Sequence, residues 1–401
     1  MKILIVSQYF WPENFRINDL AIGLKSKGHS VSVLTGVPNY PDGKIYKGYS
    51  FFSNDEIYEG IKIYRSPMIN RGNGNSFRLF LNYFSYAFFA SIKSLFIQRN
   101  KFDIIFVYEP SPITVVIPAI IIKKLKKIPL VLWVQDLWPE SIEAVNVKLP
   151  NIVFSSLNKF VSYAYSKCDK ILVTSKGYIN SITQKNINID KLMFFPQWAE
   201  PIFRPIDKDD QIQKIMPSGF IVMFAGNIGT AQDFKTIIKA ANIVKNDNQI
   251  HWVIIGSGRM KDYVDKEIKR LELDNVHMIG RYPLDDMPKF FAFADLLLIS
   301  LKKSRIFSLT IPAKIQAYLA CGRPILSMLE GEGAKIIEDA KAGINFSPGD
   351  YNSLAKGLLR IKNEKAELSK MGLNARNYYL KNFDRDKLLE KLIKELNNLV
   401  L

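Results

Sequence analysis

Apolar residues fall along this chain in short, almost unbroken runs separated by longer stretches of helical periodicity. Residues 3–6, 31–35, 61–64, 104–107, 130–134 and 171–174 make a first series of such runs. Unbroken β-branched runs predict strands buried on both faces, as in a parallel sheet covered by helices. Between them, residues 17–27 and 151–166 have the spacing of amphipathic helices. The pattern then restarts. Residues 220–225, 252–255, 277–279, 296–300, 325–328 and 344–346 form a second series, with helical stretches at 234–245 and 260–271. Strand–helix alternation run twice predicts two doubly wound α/β domains of the Rossmann type.

The boundary between the series is marked by Phe195-Pro196-Gln197-Trp198-Ala199-Glu200-Pro201-Ile202-Phe203-Arg204-Pro205. Its prolines lack amide donors and cannot sit inside a sheet. The reading is a first domain over 1–195, a linker over 196–205 and a second domain over 206–385. The length of 401 residues suits two domains at roughly 150 residues each. Two such halves would leave a central cleft between their strand C-terminal ends, where ligands of open α/β sheets bind.

One stretch breaks the pattern. Residues 77–97 are rich in Phe, Leu and Tyr, interrupted by Asn82, Ser85, Tyr86 and Lys93. Three readings stand: a helix packed on the first sheet, a helix lying in a membrane surface, or a membrane span. Arg71, Arg78, Lys93, Arg99 and Lys101 flank it, and Lys123-Lys124-Leu125-Lys126-Lys127 forms a second basic cluster. The flanking charges would suit anionic headgroups, and the second cluster could contact the same headgroups or be a solvated helix end.

Charge sharpens the question of partners. The chain carries 55 Lys+Arg against 38 Asp+Glu, a formal net charge of +17. That excess favours an anionic partner: nucleic acid, anionic lipid or a phosphorylated substrate. Two cysteines and three histidines, in no ligand spacing, exclude a disulfide scaffold and argue against a metal site. Asp-x-Asp occurs only at Asp207/Asp209 and Asp384/Asp386, so no catalytic metal or other cofactor is expected. Met1 runs directly into an expected strand, with no secretory leader, which predicts a cytoplasmic protein.

Candidate chemistry concentrates in the second half. Gly226-Asn227-Ile228-Gly229 follows an expected strand and precedes a helix, and Gly256-Ser257-Gly258 repeats the arrangement one strand later. Glycines there would let backbone amides approach an anion. The segment from Leu309 to Pro324 places Pro312 at a helix start and Gly322 at its end. Thr310 and Lys314 would sit at that helix N-terminus, with the lysine as a diphosphate clamp. In the first half, Asp136 follows a strand in Gln135-Asp136-Leu137-Trp138-Pro139-Glu140-Ser141. There it could orient or deprotonate a hydroxyl, or cap the next helix.

Pro312-Ala313-Lys314, Tyr318, Ala320, Gly322 and Pro324 resemble a stretch of glycosyltransferase family 4, retaining GT-B enzymes that use sugar nucleotides. The N-terminal block Met1–Glu13, the Lys27-Gly28-His29 turn, residues 34–43, the segment around Asp136 and Gly226–Gly229 are similar to the subgroup that builds bacterial surface polysaccharides. That subgroup includes colanic-acid and O-antigen transferases, and within it the likeness extends to N-acetyl-L-fucosamine transferases. The resemblance implies a GT-B fold of two Rossmann-like domains facing a cleft, with a terminal helix, 386–401, crossing back to the first domain. It implies that Gly226, Asn227, Gly229, Gly256 and Gly258 line the donor diphosphate, and that Arg281, Tyr282 and Pro283 border the base. Glu13, Asn14 and Arg16 would face the acceptor. The donor would be UDP-linked and the acceptor an undecaprenyl-diphosphate-linked saccharide, used by a peripheral protein on the inner face of the membrane, with no nucleic acid involved. Leu309 and Ala317 stand where the family has two glutamates eight residues apart, and Asn227 stands in place of an arginine.

Two other readings remain at this point. A sugar-nucleotide epimerase could share the fold but needs a carboxylate-rich site. A nucleic-acid binder is suggested by charge alone, without a recognised binding motif.

Overall fold

The computed structural model describes residues 1–144 and 150–400. The chain divides into two compact units, Met1–Pro196 together with Asp386–Leu401, and Gln197–Arg385.

The first unit holds eight strands: β1 (Lys2–Ser7), β2 (Ser30–Gly36), β3 (Glu56–Tyr58), β4 (Ile61–Ser66), β5 (Ile104–Glu109), β6 (Leu130–Val134), β7 (Lys170–Val173) and β8 (Leu192–Phe194). They lie in the order β3-β4-β2-β1-β5-β6-β7-β8. All neighbours are parallel except β3, which runs antiparallel to β4. Ile5 pairs with Val33 on one side and Phe106 on the other, and no part of Ile3, Leu4, Ile5 or Val6 reaches solvent. Burial on both faces is why these strands read as continuous apolar runs. The order reverses between β1 and β5. Gln8, Glu109, Gln135 and Asp136 therefore stand at the strand ends beside the switch point, where such sheets bind ligands.

Helix Arg385–Val400 closes this unit, burying Leu388, Leu389, Leu392 and Leu396. It is tied by Lys27–Glu390 at 3.2 Å, Lys170–Glu395 at 2.5 Å and Lys391 Nζ donating to the Phe194 carbonyl at 3.2 Å. Leu401, the last residue of the expected terminal helix, lies outside the described residues.

Helix Ser76–Ile97 packs on the same unit with an inverted polarity. Its inward face carries Asn82, Tyr86, Ala90, Ser94 and Ile97. Gln8 Nε2 donates to Asn82 Oδ1 at 2.7 Å, and the Tyr86 hydroxyl donates to the Ser7 carbonyl at 3.1 Å. The outward face shows Phe77, Phe80, Phe84, Phe88, Leu95 and Phe96, with Phe77 70% exposed. The basic flanks are partly committed: Lys93 pairs with Asp55 at 2.8 Å, and Arg71 donates to the Tyr9 hydroxyl at 2.5 Å. Arg78, Arg99 and Lys101 stay exposed.

The second unit holds β9 (Phe220–Ala225), β10 (Ile250–Ile255), β11 (Val276–Gly280), β12 (Leu296–Ser300), β13 (Ile325–Met328) and β14 (Gly343–Phe346). They are parallel, in the order β11-β10-β9-β12-β13-β14. Alternate residues face opposite sides of a strand. Accordingly Met223 and Ala225 join one core cluster with Ile315, Tyr318 and Leu319, while Val222 and Phe224 join another with Phe234, Ile237 and Leu354.

The segment expected as a linker is not one throughout. Residues 197–205 belong to the second unit, and Ala199 and Phe203 are buried in its core. Their side chains pack although the prolines around them keep the backbone out of the sheet.

Candidate functional site

The strand ends of the second unit enclose a cavity of about 610 Å³. β9 ends at Ala225, and the chain turns away through Gly226 and Asn227. Gly226 N donates to the Ile255 carbonyl at 2.8 Å and Gly256 N to the Gly280 carbonyl at 2.7 Å. Those two amides are thus spent on neighbouring strand ends and are not the anion donors expected from sequence. The glycines serve close approach instead. A Cβ on Gly256 would lie 1.9 Å from the Gly226 carbonyl oxygen, and one on Gly226 would lie 2.8 Å from Lys314 Cε. Gly229 and Gly258 make room for the Asn227 side chain, which would stand 2.6 and 2.5 Å from a Cβ at those positions.

Lys314 comes from helix Ala313–Ala320, whose Ile315, Tyr318 and Leu319 are buried and fix its orientation. The lysine reaches over the end of β9, its Nζ 3.5 Å from the centroid of the Phe224 ring. Burial pulls its ammonium from an ordinary 10.5 down to about 7. The ring face supplies partial negative potential but no full counter-charge. Ala317, one turn further along the helix, lines the same cavity.

Gly226, Asn227, Gly256, Arg281 and Tyr282 also line it. Gly229, Gly258 and Pro283 adjoin this lining without forming it. Thr310 is turned elsewhere. Its hydroxyl donates to the Ile306 carbonyl at 2.8 Å, closing the short helix Arg305–Leu309 rather than serving the cavity. The sequence reading missed Glu200, Phe203, Met287, Phe291 and Tyr318, all of which line it. Phe203 stacks on Phe291 at 5.8 Å, and Tyr282 meets Phe290 at 4.5 Å.

The first unit has its own polar cluster at the ends of β1, β5 and β6. Asp136 follows β6, and burial raises it to about 7, in range for accepting a proton near neutral pH. Glu109 ends β5, and its carboxyl is fully buried. Burial, then the charge of Asp136, pushes it well above the ordinary carboxylate range. Gln135 N donates to the Glu109 carbonyl at 3.0 Å, and the Tyr178 hydroxyl donates to that of Gln135 at 3.1 Å. Glu109 carried no sequence signal beyond closing an apolar run.

The expected acceptor residues divide. Glu13 is 1% exposed. Its Oε1 accepts from Asn39 N and Tyr40 N at 2.7 Å each, tying down the loop after β2. Burial raises its carboxyl to about 7 against those two bonds. It therefore holds a loop rather than presenting a free carboxylate. Asn14 is exposed, and Arg16 opens helix Arg16–Ser26 half-buried, near enough to Tyr108 to act on its hydroxyl electrostatically.

Comparison with known proteins covers most of the chain. Residues 15–196 match the family described as Glycosyltransferase Family 4, and residues 205–378 match Glycosyl transferases group 1. WbjE of Pseudomonas aeruginosa, named as a glycosyltransferase, is 28% identical over 268 residues, covering 65% of this chain and 66% of that protein. WcaI of Escherichia coli, named for colanic acid biosynthesis, is 22% identical over 419 residues, covering 99% of this chain and 100% of that protein. Among solved structures, Anabaena HepE in complex with UDP superposes with a TM-score of 0.72 at 15% identity, covering 100% of both chains. WaaG, a glycosyltransferase involved in lipopolysaccharide biosynthesis, superposes with a TM-score of 0.69 at 14% identity, covering 99% of both chains. At these identities the superpositions speak to the fold.

Proposed function

The chain belongs to the GT-B glycosyltransferases of family 4, and on that premise we propose that it transfers a sugar from a UDP-linked donor to a lipid-diphosphate-linked saccharide in the synthesis of a bacterial surface polysaccharide. The carrying observation is the cavity at the ends of β9, β10 and β11, with Lys314 enclosed beside Gly226 and, among the described residues, no carboxylate paired with its ammonium. A buried cation lacking a full counter-charge is a site for an anion. As the glycosyl bond breaks, charge grows on the leaving diphosphate, and a fixed ammonium stabilises that transition state more than the ground state. Arg281 adds a second cation at the rim.

In this reading Asp136 orients or deprotonates the acceptor hydroxyl, and its raised pKa suits that work near neutral pH. Asn14 and Arg16 contact the acceptor. The protein works at the cytoplasmic face of the membrane, with the outward aromatic face of helix Ser76–Ile97 in the headgroup layer. Arg78, Arg99, Lys101, Lys124 and Lys127 are exposed and available to anionic lipid.

The test is a donor screen against a synthetic undecaprenyl-diphosphate-linked monosaccharide, read by mass. UDP-N-acetyl-L-fucosamine is the first donor to try. A mass increment of one sugar with a UDP donor is the expected result. Transfer from other nucleotide sugars alone would remove the UDP assignment, and no transfer from any would remove the reading.

A further inference from the structure

We propose that Arg71, together with the hydroxyl of Tyr9, binds the diphosphate of the lipid-linked acceptor; this rests on the acceptor reading above.

Arg71 lies half-buried in the loop between β4 and helix Ser76–Ile97. Its guanidinium stands between two aromatic rings, 5.8 Å from the centroid of Tyr9 and 5.2 Å from that of Tyr40. Tyr9 is 2% exposed and Tyr40 38%, so the cation reaches from a buried floor to the surface. A guanidinium has several N–H donors to place. Among the described residues only Nη1 has an acceptor, the Tyr9 hydroxyl at 2.5 Å. That hydroxyl also accepts from Gln8 Nε2 at 3.3 Å, and no described residue accepts its own proton. Tyrosines, not carboxylates, act most strongly on the Arg71 charge.

Donors from two side chains thus meet with no acceptor between them. A phosphate oxygen is their complement, and the forked guanidinium matches phosphate geometry. Arg78 adds positive charge beside it, its Nε 3.6 Å from where a Cβ on Gly72 would stand.

The frame is set before any ligand arrives. Arg71 N donates to Asn39 Oδ1 at 3.0 Å, and Gly72 N donates to the Gly43 carbonyl at 2.9 Å, joining this loop to the one after β2. Asn82 Nδ2 donates to the Ile69 carbonyl at 2.6 Å, and Ile69 N donates to Ser85 Oγ at 2.9 Å, joining it to the helix. Little ordering remains to be done on binding.

Placement favours the acceptor's phosphates over the donor's. The cluster belongs to the first unit, while the cavity holding Lys314 is in the second. Tyr9 and Tyr40 lie beyond the C-terminal ends of β1 and β2, and Asp136 follows β6 at the same edge of the sheet. Arg71 also lies just ahead of the helix whose outward aromatic face the reading puts in the headgroup layer, the level of a lipid's phosphates.

The probes are farnesyl diphosphate and farnesol, one isoprenoid with and without the diphosphate. They are titrated by calorimetry into wild type, Arg71→Ala, Arg71→Lys and Tyr9→Phe, with UDP at saturation to fill the donor site. Circular dichroism checks folding, and a separate titration gives UDP affinity. Wild type should prefer the diphosphate by about 10–100-fold, the effect of hydrogen bonds to a charged group. Arg71→Ala should bring that ratio to near one while leaving affinity for farnesol and UDP unchanged. Arg71→Lys, which keeps the charge but not the fork, should fall between. Tyr9→Phe, which keeps the ring and loses the O–H, should lose a smaller part. A ratio that survives in Arg71→Ala overturns the proposal and leaves the acceptor reading standing. Equal binding of both probes by wild type does the same. A matching loss of UDP affinity in Arg71→Ala also overturns it, since the phosphate held would then be the donor's. Should Arg71→Ala fail to fold, wild-type ratios in both Arg71→Lys and Tyr9→Phe overturn it instead. A wild type that binds neither probe overturns the proposal and the acceptor reading together.

Discussion

Lys314 Nζ sits 3.5 Å from the centre of the Phe224 ring, a buried cation facing an aromatic face. Burial holds its pKa at about 7, against 10.5 ordinarily. Between those values the unfolded chain carries a proton that the folded one does not, so stability rises with pH across that window. Below about 7 both states are charged and the folded state bears the full cost of burying the ammonium. Lys314→Met should therefore raise the unfolding temperature of the ligand-free protein most at pH 6, and the advantage should shrink by pH 9. Equal gains at both pH values would contradict this.

The same lysine should couple nucleotide binding to proton uptake. In the proposed reading a diphosphate is its counter-charge and would lift the pKa back upward. At pH 8, calorimetry of UDP binding in two buffers of different ionisation enthalpy should show net uptake of protons. Lys314→Met should lose that uptake and bind more weakly. Buffer-independent heats in the wild type would sink the coupling.

Glu109 and Asp136 carry the opposite sign. Both carboxyls are raised by burial, Asp136 to about 7 and Glu109 well above its ordinary value. A raised carboxyl contributes stability that is present below its unfolded pKa and lost as pH rises through its folded one. Glu109→Gln removes one of the two ionisations while keeping shape. Its unfolding temperature should match wild type at pH 5 and exceed it at pH 8. Glu109→Gln less stable than wild type at both values would show that a charged Glu109 is needed.

Two glycines that look alike in sequence should respond differently. The Cβ of Gly256→Ala would strike the Gly226 backbone at 1.9 Å, where nothing yields cheaply. Overpacking of this kind costs about 1–3 kcal/mol, and the left-handed φ of 139° at this position adds strain. Gly226→Ala carries the same left-handed strain, at φ 135°, but its Cβ meets the flexible end of Lys314 at 2.8 Å rather than backbone. It should cost less stability than Gly256→Ala and, by displacing the lysine, lower turnover beyond what its stability loss explains. Chemical denaturation and turnover, measured on both variants, separate the two cases.

The outward face of helix Ser76–Ile97 should carry membrane affinity. Phe80, Phe84 and Phe88 are all exposed on it, Phe88 by 61%. Replacing all three by serine should leave stability unchanged, because none is in the core. It should weaken binding to anionic vesicles by at least about tenfold, since each buried aromatic is worth about 1.5–3 kcal/mol. High salt should weaken wild-type binding as well. Unchanged vesicle binding by the triple variant would place the contact elsewhere.

What the sequence disclosed follows from burial. Strands such as β1, β5 and β9 were legible because covering both faces leaves only apolar residues to read. Edge strand β3 was not, since its three residues give no apolar run: Ile57 is 74% exposed, while the half-buried Glu56 and Tyr58 flank it. Strand β8 is three half-buried residues and gives no periodicity. Lys314 was visible because a helix start and its flanking Pro and Gly fix its place. Thr310 looked equivalent, but local geometry offered its hydroxyl a carbonyl four residues back. Glu200 was hidden among prolines that suggested a free linker, and only the burial of Ala199 and Phe203 places it at the cavity.

Lys314 is the sharpest test of the chemistry. Leu309, ending the short helix before it, and Ala317, on the lysine's own helix, stand where the resembling family carries carboxylates. The amides of Gly226 and Gly256 are committed to neighbouring carbonyls. In the proposed reading the leaving diphosphate draws stabilisation from the Lys314 ammonium, held in place by Phe224 and the helix behind it. Removing one such pre-organised donor typically lowers turnover by about 10²–10³, or roughly 2.7–4 kcal/mol. Lys314→Ala should show a loss of that size while remaining folded, with turnover affected more than donor KM. Lys314→Arg should recover part of it, because charge survives while the longer, planar head presents its donors with a different geometry. Near-normal turnover in Lys314→Ala would move the burden to Arg281, and a double variant at both positions would then be the one that fails.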